Sequence, residues 1–117
     1  MTNQTTDSIL DSIKKLLGMP SCYDAFETDI IMHINTVFAN LAQMGVCPDD
    51  KGFQITDNST TWSEFTNDDI LMNNVKTYVY LKVRLIFDPP ANATLVDSIN
   101  SQIDELEYRL YTQKGGY

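Results

Sequence analysis

Asp68-Asp69-Ile70-Leu71-Met72-Asn73-Asn74-Val75-Lys76-Thr77-Tyr78-Val79-Tyr80-Leu81-Lys82-Val83-Arg84-Leu85-Ile86-Phe87-Asp88-Pro89-Pro90 decides the fold. Leu71, Val75, Tyr78, Val79, Leu85 and Ile86 recur at helical spacing and define one face. Ile70, Tyr80, Leu81 and Phe87 point elsewhere, so apolar surface goes most of the way round. A helix of that kind is buried on more than one side. In so short a chain the second burial surface is expected on another subunit, which makes Tyr80, Leu81, Lys82 and Phe87 candidate oligomer-interface residues. The helix is expected over 68–87. Asn67 can cap it, and Asp68 and Asp69 suit the positive end of the helix dipole. Asp88-Pro89-Pro90 stops it, because proline lacks an N–H and disfavours helical backbone in the residue before it.

Working outward, a last helix is expected over 93–111. Leu95, Val96, Ile99, Ile103, Leu106 and Leu110 line one side of it, with Asp97, Asp104, Glu105 and Glu107 away from that stripe. Glu105 and Arg109 form a favourable i,i+4 pair, and 112–117 reads as a flexible tail. Upstream, Phe26, Ile30, Ile31, Ile34, Val37, Phe38, Leu41 and Met44 mark a helix over 24–44, a rod about 30 Å long that needs a partner surface along its length. A first helix is expected over 7–17, capped by Thr6 or Asp7. Its apolar face is Ile9, Ile13, Leu16 and Leu17, and Gly18 and Pro20 end it.

Between the second and third helices, 46–66 reads as a lobe. Phe53-Gln54-Ile55 alternates, Asp57-Asn58-Ser59 is a turn signal and Thr60-Thr61-Trp62 is β-prone. Either a short β-hairpin or an extended segment fits, pinned to the helices by Phe53, Trp62 and Phe65. The expected fold is therefore mainly α, a four-helix bundle-like subunit in one domain spanning 1–117.

Composition narrows the function classes. The chain has 117 residues, 43% hydrophobic and 21% charged, which suits one globular domain. Eight Lys and Arg against sixteen Asp and Glu give −8, which argues against wrapping nucleic acid. No apolar run approaches the roughly 18 residues of a membrane span, and no basic and apolar leader pattern is expected at Met1-Thr2-Asn3-Gln4. Cys22 and Cys47 are expected as free thiols rather than a disulfide.

A chemical centre is hard to assemble from this inventory. His33 is the single histidine and sits at the edge of an apolar stripe, where ordinary hydrogen bonding is expected. Cys22, Cys47 and His33 fall short of the four ligands of a zinc site. Asp49-Asp50 and Asp68-Asp69 read as a solvated turn and a helix N-terminus, and there is no Gly-rich phosphate loop. No catalytic, cofactor-binding or metal residue is expected, and the chain does not read as an enzyme. Lys82 falls inside the apolar stripe; its ammonium either snorkels to the surface or pairs with a carboxylate of the last helix or of a neighbouring subunit.

Asp29-Ile30-Ile31-Met32-His33-Ile34-Asn35, Gly45-Val46, Gly52-Phe53, Thr61-Trp62-Ser63-Glu64-Phe65, Val75 through Pro90 and Ile103 through Leu110 together resemble the small head–tail connector (adaptor, neck) proteins of tailed bacteriophages and Gram-positive prophages. The likeness covers about 7–111 and is most distinctive over Val75–Pro90. It implies a helical subunit of the virion neck, made in the host cytoplasm. Such subunits assemble as a homo-oligomeric ring of about twelve copies. The ring docks below the portal protein, continues the DNA channel without binding DNA specifically, and gives a stopper, head-closure or tail-completion protein its attachment surface. By position, it assigns Gln113, Lys114, Gly115, Gly116 and Tyr117 to a portal-binding tail. The acid excess suits a conduit, because negative walls repel phosphate; Asp97, Asp104, Glu105 and Glu107 are candidate channel-lining acids. Two rival readings are a head- or tail-completion protein of the same neck and a non-viral helical protein-interaction module.

Overall fold

The computed structural model describes residues 8–19, 25–46 and 52–113. They form α1 (Ile9–Leu16), α2 (Glu27–Gln43), the single turn α3 (Trp62–Phe65), α4 (Asp69–Phe87) and α5 (Ala93–Gln113). The four long helices are those expected, with ends moved by local chemistry. Ser8, not Thr6 or Asp7, caps α1: its Oγ accepts the Asp11 N–H at 3.2 Å. Asp68, not Asn67, caps α4, its Oδ1 accepting the N–H groups of Ile70 and Leu71 at 3.0 and 3.1 Å. A carboxylate there satisfies two orphan donors and meets the helix dipole at once. Gly18 and Gly45, at φ +86° and +84°, end α1 and α2 in the left-handed conformation that favours glycine.

α4 is the central element, packed by α5, α2, α1 and α3. Leu71, Val75, Tyr78, Val79, Leu81 and Val83 are all buried, and they span more than half of its circumference. Of the four candidate interface residues Leu81 is covered by its own chain, at 6% exposure, which corrects its place among them; Tyr80, Lys82 and Phe87 are half-buried. Ile70 and Ile86 are the large apolar residues that α4 leaves in water, at 69% and 51% exposure.

Over residues 52–60 the lobe is irregular chain that turns at Asn58 and Ser59, where the sequence has its turn signal. Among the described residues there is no strand, only an isolated bridge between Ser8 and Thr61. A hairpin is unnecessary because α2 supplies the hydrogen bonds: the Asn35 amide donates to the Ile55 carbonyl at 3.0 Å and accepts the Ile55 N–H at 2.8 Å. Trp62 opens a helical turn rather than a strand. The Glu64 carboxylate reaches back to the Thr61 N–H at 3.0 Å, the reciprocal arm of a capping box. Aromatic packing fixes the lobe: Phe38 meets Phe53, Phe65 and Trp62 at ring separations of 5.0, 5.3 and 6.3 Å. The buried Trp62 indole N–H donates to Ser12 Oγ at 2.8 Å, tying α3 to α1.

Candidate assembly surfaces

Of the four candidate interface residues, three reach the surface. Tyr80 is half-buried, and its hydroxyl accepts from Arg84 Nη1 at 3.4 Å. Phe87 is half-buried with its ring edge-on to Phe26 at 5.5 Å. Lys82 lies with Nζ 5.7 Å from the centre of the Tyr78 ring, a cation–π contact within its own helix. Among the described residues no carboxylate lies within ion-pairing distance of Lys82. Its stem packs and its ammonium opens on a groove of about 350 Å³ shared with Asn40, Gln43, Met44, Tyr78 and Glu107. Leu81 is enclosed by the subunit itself.

The four candidate channel acids do not form one set. Asp97, Asp104 and Glu105 are exposed on α5, and Glu105 is paired with Arg109. Glu107 is half-buried and turned inward, accepting the Tyr78 hydroxyl at 2.8 Å. Burial, together with that carboxylate, pushes the Tyr78 phenol well above its ordinary value. At the chain end, α5 runs through Thr112 and Gln113, two residues further than expected. The Thr112 hydroxyl is folded back on the Tyr108 and Arg109 carbonyls at 3.0 and 3.1 Å. Lys114, Gly115, Gly116 and Tyr117 lie outside the described residues, as do Cys22, Cys47, Asp49 and Asp50.

Two features escaped sequence reading. Lys14 is buried, with its side chain 1% exposed, and Nζ lies 3.2 Å from Glu27 Oε1, which joins α1 to α2. No local pattern marks it, because its partner lies on another helix. The second is the set of large apolar side chains left exposed on the subunit. Phe26, Met32, Ile70, Ile86, Leu95 and Tyr108 are all exposed, spread over the long helices and their ends. The departure of Ile70 from its helix stripe was the only sign of this in the sequence.

Among the described residues no group of three or more His, Cys, Asp or Glu is placed to hold a metal ion. No helix there is long and apolar enough to cross a membrane. His33 is half-buried on α2. These features define a small helical scaffold whose distinctive parts are its faces and ends. The sequence profile of the phage connector protein family matches residues 9–117, and the chain belongs to that family. It is a family of structural proteins, components of the virion neck. Comparison with curated proteins and comparison with solved structures gave no match.

Proposed function

We propose that this chain is the adaptor subunit of a phage neck. Copies assemble into a ring of about twelve below the portal protein, continue the DNA channel, and present a docking surface to the stopper or tail-completion protein. The observation that carries the reading is the family profile, which runs from the first residue of α1 through every helix. Exposed large apolar side chains support it: Ile70 and Tyr108, at 69% and 71% exposure, suit a part that docks against neighbours. A net charge of −8 per copy suits a channel from which phosphate is repelled, so that DNA passes without being held. The end of α5, with Gln113 through Tyr117 beyond Thr112, is the segment proposed to reach the portal, and assembly takes place in the host cytoplasm.

The test mixes the full chain with the portal protein encoded in the same genome and images the product by negative-stain electron microscopy. A ring seated coaxially on the portal is expected. A chain that stays monomeric and unbound beside the portal overturns the proposal, and so does a ring that retains duplex DNA at physiological salt.

A further inference from the structure

α2 presents an outer face that carries almost no charge. From Ile30 to Gln43 the helix has no Asp, Glu, Lys or Arg, although 21% of the chain is charged. Its acids, Glu27 and Asp29, are confined to the first turn. No other helix runs two full turns without a charged residue. Met32, Thr36, Ala39 and Gln43 line the face and all are exposed, Met32 at 61%. Their spacing of four, three and four residues is that of a helix-packing seam, here about 16.5 Å long. Two polar groups along it are already satisfied. The Thr36 hydroxyl donates to the Met32 carbonyl at 2.9 Å, and the Asn35 amide is bonded at both ends to Ile55. Charged side chains are depleted where one protein meets another, and polar groups paired within the subunit lose little on leaving water.

The face ends at a groove of about 350 Å³, where Asn40, Gln43 and Met44 of α2 meet Tyr78 and Lys82 of α4 and Glu107 of α5. Glu107 is engaged by the Tyr78 hydroxyl at 2.8 Å. Among the described residues no carboxylate lies within ion-pairing distance of Lys82. The groove therefore offers an ammonium, with the amides of Asn40 and Gln43 beside it, to a carboxylate from outside the subunit. We infer that this face receives the acidic outer side of α5 from a second copy of this chain. The inference rests on the ring proposed above. Two α2 faces meeting each other would leave both Lys82 side chains without a carboxylate, so the complement is a different face. α5 supplies one: Asp97 and Asp104 are exposed, across the helix from the buried Ile99 and Ile103, and neither has an ion pair among the described residues. Tyr108, 71% exposed on the same side of α5, adds an aromatic ring to pack on the apolar part of the α2 face. Copies that each carry −8 meet at least electrostatic cost where one of the two surfaces lacks negative charge. A different surface on each copy makes the contact heterologous, the kind that closes into rings. Asp97 and Asp104 then lie between copies rather than on the channel wall.

The test places a charge on the α2 face and reads the assembled ring. Full-length Lys82→Glu and Ala39→Glu chains are each compared with wild type for ring formation on the portal protein of the same genome, by mass photometry across protein concentration. Each is expected to raise the concentration needed for assembly about tenfold or more, because each sets a carboxylate against the acids of the next copy. Lys82→Arg keeps the charge and is expected within about threefold of wild type. Ala39 is exposed, so its variant does not depend on the packing of the Lys82 stem, and circular dichroism checks that every variant folds. Independently, the photo-crosslinker benzoylphenylalanine replaces Met32 and is irradiated in the assembled ring. A product joining two copies is expected, mapped by mass spectrometry to 97–108 of α5. Normal assembly of both glutamate variants overturns this interface and leaves the adaptor reading standing. So does a photoproduct that joins the face to the portal or to another element of the chain, or the lack of any photoproduct. A wild-type chain that forms no ring on the portal overturns the adaptor reading itself.

Discussion

Replacing Ser12 by Ala removes one oxygen from a dry place and isolates the effect of one hydrogen bond. Ser12 is 4% exposed and Trp62 1% exposed, and the Trp62 indole N–H donates to Ser12 Oγ at 2.8 Å. The same hydroxyl donates to the Ile9 carbonyl at 3.0 Å. Alanine keeps the helix and fills almost the same volume, so the dominant cost is a buried N–H left without an acceptor, about 1–3 kcal/mol. At about 2.1 cal/mol/K per residue, 117 residues carry an unfolding entropy of about 0.25 kcal/mol/K. A loss of about 2 kcal/mol therefore lowers Tm by about 8 °C. The assay is thermal unfolding followed by circular dichroism, at one protein concentration because association itself raises Tm. Trp62→Phe removes the donor, so in that background Ser12→Ala should cost at least about 1 kcal/mol less. A Tm shift below about 2 °C, or a double-mutant cycle with coupling below about 0.3 kcal/mol, refutes the assignment of this bond as the tie between α3 and α1.

Three further outcomes follow from other contacts. Glu27→Gln should destabilise by about 2 kcal/mol and Lys14→Met by less. The first leaves a buried ammonium facing a neutral amide, the second only a part-solvated carboxylate; urea titration showing the reverse order contradicts the geometry. Folded Tyr78 keeps its proton to higher pH than the unfolded chain does. Stability should thus be complete below the ordinary phenol value of about 10 and fall as pH rises above it, with Tyr78→Phe making the fall shallower in denaturant titrations between about pH 9 and 11. Asn35→Leu removes both hydrogen bonds to Ile55, so amide exchange at Ile55 should accelerate at least about tenfold while exchange at Val75 and Val79 in α4 changes little. Unchanged protection at Ile55 would show that the lobe does not depend on α2.

Helical periodicity made α2, α4 and α5 legible, because an apolar stripe repeating over five turns has no other economical explanation. The lobe was legible only to the level of an extended or hairpin segment. Its outcome depends on Asn35, 20 residues from Ile55 in sequence, and on Phe38 as a common platform for three aromatic rings. Leu81 shows the limit of a stripe argument: angle on a helix tells which way a side chain points, but not whether the neighbour there belongs to the same chain. The all-round apolar character of α4 matches burial on several sides, and Leu81 is the one interface candidate that its own chain covers. Glu107 shows the same limit for charge. It shares a helix with Asp97 and Asp104 yet turns towards Tyr78, where a buried hydroxyl gives it a partner.

The adaptor account is tested most directly by single-particle imaging of the full chain assembled on the portal protein of its own genome. The account predicts a closed ring coaxial with the portal, with a continuous central channel. A complex with the chain bound as isolated copies, or no complex at all, would contradict it.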